Sequence, residues 1–553
     1  MRTILKYILT GMVVMLTSCG EEFVTLTDPN QITSNSFWQT EEDARLGTSA
    51  IYQAMIFDGT YMRKYPWYMD VRADDSYNVT PQSYVMSNLT TYTIGGEEVE
   101  QPWECNYVGI WRANQLLDHI GDINMDDDLR ERCIGEAKFL RGLFYFNLLI
   151  TFQNVVVYEH IPQSYNDFLI PQSPPEEVWE LVYQDFIDAI GADNTGCWLK
   201  EDMELGRATK AAAAAMLVRA YLMNQRYSDA LPVLEDILST ADGGNELYGL
   251  YDLVEDYRDN FTEANENNIE SIFEIQYELT DADGDPIGDA QGWIGNPAPN
   301  WMKSDGYNKS LAPQPFGWGD IAPSVWIWEE FHEEEAEGGG NDGRMEASFY
   351  FEHPGDPDYT VYGYYQDTVY NDPPYITGTT VFDGMSWATV GNVDLNLPDD
   401  FNVYIRKYLT EDKEMDRAWK SGINRRIIRY ADILLLYAEC LNETGHTTDA
   451  YPYIQRVRDR ANLPDLATVK PGMSQEEMRW QLDHERALEF CFEAQRYLDI
   501  LRWGYFDDEA KFDTLMARDP EYQNWLPGRE YLAIPPTEIE RTNGIVNQNP
   551  GWN

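Results

Sequence analysis

The chain has 553 residues, with 95 Asp and Glu against 40 Lys and Arg, and a formal charge of −55. Such a surface repels phosphate backbones, which excludes nucleic-acid binding, and it disfavours polyanionic ligands. Aromatic residues make up 14% of the chain, 17 Trp and 37 Tyr among them, more than a helical core needs; rings on loops suit neutral ligands with apolar faces, sugars above all.

At the N-terminus, Arg2 and Lys6 precede an apolar run from Ile8 to Leu16 that is too short to span a bilayer. Leu16-Thr17-Ser18-Cys19 follows and resembles the lipobox of bacterial lipoproteins. The resemblance implies a signal peptide over 1–18, cleavage before Cys19 and acylation of its thiol, so that the protein is tethered rather than membrane-spanning. Gly20-Glu21-Glu22 resembles the acidic surface-export tag of Bacteroidetes lipoproteins. Residues 19–36 read as a linker from the anchor. No second long apolar run occurs, so the reading is a soluble body on a lipid anchor.

Thr40-Glu41-Glu42-Asp43 opens a helix through Ala44, Ile51 and Met55. Phe57 to Glu100 reads as loop, rich in Gly, Pro, Asp and rings. Trp103, Tyr107, Ile110, Asn114 and Leu117 recur at helical spacing. Asp126 to Asp128 opens the partner helix, where carboxylates suit free amides and the dipole; its stripe is Cys133, Ala137, Leu140, Phe144 and Leu148. Ser173-Pro174-Pro175-Glu176 predicts Ser at N-cap, Pro at N1 and Glu at N3, with Val178, Leu181, Val182, Phe186 and Ile190 as the apolar face. The stretch Ala211 to Leu238 resembles a tetratricopeptide helix pair, alanine-rich in its first helix and with Tyr227, Ala230 and Leu234 in its second. The pattern returns at Ile427–Glu443 and Thr448–Ala461, with the stripe Tyr430, Leu434, Tyr437 and Leu441. Ser474 to Glu477 is a capping box for a helix extending past Ala487, Phe490 and Ala494. Residues 280–400 hold Gly, Pro, Asp, Trp and Tyr with little helical period, and Tyr362, Tyr364 and Tyr365 are placed on short strands. That insertion reads as a functional surface or a small irregular subdomain. The fold class is mainly α: tetratricopeptide-like helix pairs in one large domain, long loop-rich insertions and a few short strands.

Beyond Cys19 there are five cysteines. Cys133, Cys440 and Cys491 fall in apolar helical patterns and read as buried thiols, while a Cys105–Cys197 bridge stays open. No Cys-x-x-Cys pair suggests zinc.

A set of motifs in order along the chain carries a family resemblance: Glu136–Leu149 (EAKFLRGLFYFNLL), Gly206–Ala213 (GRATKAAA), Ile269–Gln276 (IESIFEIQ), Arg429–Glu439 (RYADILLLYAE), Val457–Asn462 (VRDRAN), Glu485–Trp503 (ERALEFCFEAQRYLDILRW), Leu532–Glu538 (LAIPPTE) and Gln548–Gly551 (QNPG). The set resembles the SusD/RagB family over nearly the whole mature chain, divided as 37–279 and 280–553, the second part including the insertion 280–400. Asn154-Val155 stands where the family often has Gly-Asp, which touches a turn only. The resemblance implies an α-helical lipoprotein facing outwards from the outer membrane, partnered by a SusC-like TonB-dependent transporter. It implies non-catalytic capture of oligosaccharide or polysaccharide for import. Peptide or glycopeptide capture on the same fold is the alternative, and a surface glycoside hydrolase is the alternative of another class.

Glu485, Arg486, Glu489, Glu493, Arg496 and Asp499 alternate charge at helical spacing. Paired carboxylates suit glycosidic acid/base work; the favoured reading is an ion-pair network bracing packed helices. His332-Glu-Glu-Glu-Ala336 lacks the second histidine of a zincin helix, and no Gly-x-Ser-x-Gly elbow occurs. No catalytic residue and no cofactor is expected. Asp281-Ala-Asp-Gly-Asp285 has calcium-like spacing but not an EF-hand order, and a solvated turn is preferred over structural calcium. A pyranose stacks on rings and its hydroxyls take bidentate polar partners. The ligand candidates are therefore Trp67, Tyr68, Asp74, Asp75, Tyr77 and Tyr84 in the first loop-rich region, a region that in the family contributes to the binding surface. Trp293, Trp301 and Trp318 in the insertion join them, with Arg406 behind it. Trp328 reads either way, as a fourth ring or as part of a short helix with Val325 and Phe331, while Trp103, Trp179 and Trp503 lie on helical stripes and read as packing.

Overall fold

In the computed structural model, residues 37–78, 95–192, 195–238, 247–277, 321–350, 389–390, 393–394, 403–408 and 421–552 are described. Helix α1 (Glu41–Gln53) begins as its sequence predicts. The Asp43 carboxylate accepts the Thr40 N–H at 2.8 Å while the Thr40 hydroxyl accepts the Asp43 N–H, so both exposed donors of the first turn are satisfied. The chain then departs from the loop expected over 57–100. A wide turn at Asp58–Met62 leads into helix α2 (Lys64–Val71), and every residue of both is buried. An element apolar nearly all round shows no stripe, so its period is invisible in the sequence.

Helices α3 (Glu97–His119) and α4 (Asp127–Phe152) form the first antiparallel pair, α4 being capped by the Asp126 carboxylate on the Leu129 N–H. They approach closely at Gly109, where a Cβ would lie 2.3 Å from the Phe144 ring. Helix α5 (Pro175–Ile190) starts one residue later than expected, with Pro174 and not Ser173 at the cap. Thr209 caps α6 (Lys210–Met223), whose five consecutive alanines Ala211–Ala215 are fully buried and let α5 and α7 (Tyr227–Leu238) pack against it. Each helix thus buries its face against the next, as in a tetratricopeptide array.

Among the described residues the sheets are four two-stranded ribbons: β1 (Ser76–Asn78) with β3 (Ile321–Pro323), β2 (Ser271–Ile275) with β8 (Arg425–Arg429), β4 (Phe349–Tyr350) with β7 (Tyr404–Ile405), and β5 (Thr389–Val390) with β6 (Val393–Asp394). Residues Ile427–Arg429, expected to open a helix, belong to β8; pairing with β2 overrides local propensity there. A short helix, α8 (Val325–Glu330), follows β3 and carries Trp328. Helices α9 (Tyr430–Glu443) and α10 (Thr447–Arg460) form the C-terminal pair, against which α11 (Gln475–Phe490) packs. The capping box of Ser474 and Glu477 forms, but α11 stops at Phe490 instead of running past Ala494. Phe492 and Ala494 sit at φ 61° and 60°, in the left-handed region that costs a side-chain-bearing residue free energy, and α12 (Arg496–Arg502) follows.

Cys105, Cys133, Cys197, Cys440 and Cys491 are all free thiols, so the Cys105–Cys197 bridge does not form. Cys133, Cys440 and Cys491 are buried, as expected. Among the described residues no helix is long and apolar enough to cross a membrane. Cys19, the Asp281–Asp285 turn and Tyr362, Tyr364 and Tyr365 lie outside the described residues.

Candidate ligand-binding site

The ribbon β1/β3 joins two segments far apart in sequence. Asn78 pairs with Ile321, Tyr77 with Ala322 and Ser76 with Pro323. Asn78 is the last described residue before 79–94, and Ile321 the first after 278–320. The segment carrying Tyr84 therefore leaves, and the segment carrying Trp293, Trp301 and Trp318 arrives, at paired positions of one ribbon. Tyr84 and those three tryptophans themselves lie outside the described residues. The chain returning from the insertion at β7 is rooted beside it, since β3 also contacts β7. Arg406, just after β7, is half-buried and donates to the Glu346 carbonyl at 2.7 Å, so it helps close that root.

The five remaining candidates require correction. Trp67, Tyr68, Asp74, Asp75 and Tyr77 are all buried, the most accessible of them Tyr68's neighbour Trp67 at 3%. None offers a face to a sugar; they are the base on which the ribbon stands. Tyr68 donates its hydroxyl to the Glu530 carbonyl at 3.0 Å, with the Arg72 guanidinium over its ring. The Ser324 hydroxyl donates to the Asp74 carbonyl at 2.6 Å and its N–H to the Asp75 carbonyl, which fastens β3 to the turn before β1. Trp328 packs edge-on against Phe349, which settles it as a packing ring, like Trp103, Trp179 and Trp503.

Beneath the ribbon lies the ion-pair network of the alternating helices. The Asp74 carboxylate accepts two bonds from Arg496, at 2.6 and 2.9 Å, and one from Arg518 at 3.2 Å; both guanidiniums also reach Asp483. Arg344, from the insertion, bonds Asp342, Glu485 and Glu489 with no exposed surface of its own. Arg429 reaches Glu270, Glu489 and Glu493, and Arg460 reaches Glu270 and Glu489. Burial alone would push the Glu489 carboxyl up, but Arg460, Arg429 and Arg344 together outweigh it and hold it well below the usual range. Each carboxylate of the pair is buried and takes charge-assisted bonds from two or three guanidiniums, Glu485 from Arg344 and Arg458 and Glu489 from Arg344, Arg429 and Arg460, which is the arrangement of a structural brace. Arg344 and Lys407 were not foreseeable as members: apart from Asp342 beside Arg344, their carboxylate partners stand more than 80 residues away, and no local spacing signals them.

Two buried carboxyls work the other way. Burial, then the Asp74 charge, push Asp75 up to about 7; burial with the Asp74 charge pushes Asp519 up to about 8. Asp75 also accepts the Phe492 N–H at 3.3 Å, and Asp70 the Ala494 N–H at 2.8 Å, so the strained turn after α11 is tied directly to the root of the ribbon. Among the described residues no group of three His, Cys, Asp or Glu is placed to hold a metal ion.

Two protein-family profiles match the chain: the SusD family over residues 269–552, and a family described as starch-binding and associating with the outer membrane over residues 11–222. A SusD-like protein P2 of Formosa agariphila is 24% identical across 99% of this chain and 100% of its own length. A crystal structure of a SusD superfamily protein from Bacteroides vulgatus superposes with a TM-score of 0.71 at 25% identity, covering 93% of this chain and 100% of that one. The structure of a laminarin-binding SusD-like protein superposes at 0.66, again at 25% identity, with the same coverage. With helix pairs, signature network and paired ribbon all in place, and a profile match over more than half its length, the chain belongs to the SusD family.

Proposed function

We propose that this protein captures an oligosaccharide or polysaccharide at the β1/β3 ribbon and delivers it to a SusC-like TonB-dependent transporter, from the cell surface of an outer membrane to which acylated Cys19 tethers it. The observation that carries the reading is the pairing of Asn78 with Ile321, which roots the two ring-rich segments side by side. Tyr84, Trp293, Trp301 and Trp318 are the residues to stack on sugar rings, and the buried base below the ribbon keeps their roots rigid, lowering the entropic cost of binding. A charge of −55 favours a neutral glycan. Laminarin is the first ligand to try, because a solved relative at 25% identity is described as binding it. The protein does no chemistry on the glycan: the carboxylates that would serve as acid and base are spent on arginines.

Native gels containing laminarin, starch, xylan, mannan or cellulose derivatives test this. At least one should retard the protein, and Trp301→Ala or Trp318→Ala should weaken binding about ten- to a hundredfold, the loss of ~1–3 kcal/mol for one anchoring ring. Free migration through every gel, or unchanged affinity in both variants, overturns the reading.

A further inference from the structure

A second surface of the molecule also presents rings to solvent. Four large aromatic residues are exposed among the described residues, Trp111, Tyr165, Phe168 and Trp480, and the first three line one cavity. It has a volume of about 590 Å³ and lies between the outer face of α3, residues 156–168 and a short C-terminal helix, α13 (Pro536–Arg541). None of these walls carries the ribbon. We propose that this cavity is a second saccharide-binding site, taking a short neutral stretch of glycan against Trp111, Phe168 and Tyr165.

The geometry favours a sugar over other occupants. The Trp111 and Phe168 rings are nearly parallel, 17° apart with centroids at 6.3 Å, and each is more than a third exposed. Tyr165 is pinned at the mouth, its hydroxyl donating to the Arg541 carbonyl at 3.0 Å. The rings supply the apolar faces on which a pyranose stacks. The rim supplies polar edges: Glu104 pairs with Arg541 at 3.0 Å, and Glu538 stands beside them. Burial raises the Glu538 carboxyl above its ordinary value, against the pull of Arg541. Glu104 and Arg541 cancel each other, and these polar edges offer hydrogen bonds to the hydroxyls of a neutral ligand. An anionic lipid meets a protein of charge −55, and an apolar chain would strip water from the exposed Glu104–Arg541 pair without replacing its hydrogen bonds. The volume falls within the range of ordinary small-ligand pockets. Two sites on one chain would also hold a long polysaccharide by multivalency, beyond the affinity of either.

The ligand class rests on the proposed glycan binding; the location does not. The test uses the full chain labelled with 5-fluorotryptophan, the Trp111 resonance being assigned by its loss in Trp111→Phe. Laminarihexaose, maltohexaose, cellohexaose, xylohexaose and mannohexaose are titrated to about 10 mM, enough to reveal a millimolar site. The expected result is a saturable shift of the Trp111 resonance with at least one hexaose. Calorimetry with that hexaose should then show about a tenfold loss in one class of sites for Trp111→Ala or Tyr165→Ala, with an unchanged melting temperature. If no hexaose moves the resonance, or dodecanoate moves it and no hexaose does, the proposal is wrong. Retardation in the polysaccharide gels with a silent Trp111 would leave the ribbon reading standing and remove only this second site; a hexaose shift at Trp111 without any loss of gel retardation in Trp301→Ala and Trp318→Ala would do the reverse.

Discussion

Replacing Asp74 with asparagine separates a bracing role from a ligand-binding one. Asp74 and Asp483 face Arg496 and Arg518, two negative against two positive charges, all buried or nearly so. Asp74→Asn keeps an acceptor oxygen and the shape but leaves one positive charge uncompensated. Breaking a buried pair costs roughly 3–5 kcal/mol. The lower end applies, about 3 kcal/mol, because Asp483 still serves both arginines. Asp75 and Asp519, held protonated by burial and by the Asp74 charge, also become easier to ionise and offset part of the excess. At roughly 2 cal/mol/K per residue, unfolding a chain of this size carries about 1 kcal/mol/K, so the Tm should fall by about 3 °C. Differential scanning calorimetry at low and high salt gives the measurement. The fall should persist in high salt, since the groups are shielded from counterions. Glycan affinity, measured well below the Tm, should stay within about twofold of wild type, or ~0.4 kcal/mol. An unchanged Tm with lost affinity would refute the reasoning and return Asp74 to the ligand site.

The raised carboxyls give stability a pH dependence of known sign. In Asp75 and Asp519 the folded value lies above the unfolded value of about 4, so the folded state holds more protons between them; their contribution is complete below about pH 4 and is lost as the pH rises through about 7 and about 8. Urea midpoints should therefore fall between pH 5 and pH 8, about those same values, and Asp519→Asn should flatten the slope. Glu334 and Asp432, held down to about 2 where burial is outweighed by Arg458 and by Arg219 and Arg486 respectively, act oppositely, and their contribution disappears as the pH falls from about 4 towards 2. A midpoint that rises steadily from pH 4 to pH 8 contradicts the first assignment. Gly109→Ala should lower the Tm by about 1–3 °C, because its Cβ meets the Phe144 ring and overpacking costs ~1–3 kcal/mol; an unchanged Tm would mean that α3 and α4 can part without cost.

Local chemistry decided much of this protein by itself. The boxes at Thr40 and Ser474, the carboxylates at Asp126 and the small residues of Ala211–Ala215 specify where helices start and how closely they pack, because each acts within a turn or two of its own position. The alternating charges of Glu485 to Asp499 announced ion pairing but not the partners, which come from other segments: Glu493 pairs with Arg429 and Lys407 and not with Arg496, which turns to Asp74 and Asp483. What failed were inferences about exposure. Trp67 and Tyr68 look like loop rings in a segment without helical period, yet they are core, because α2 is enclosed on every side and an enclosed helix leaves no periodic trace, while Tyr77 is buried in the β1/β3 ribbon. The pairing of Asn78 with Ile321, the insertion of Arg344 among Glu485 and Glu489, and the meeting of α3 with α13 around one cavity join residues more than 100 positions apart. Contacts at that separation carry no local pattern, and only the packed tertiary structure selects them.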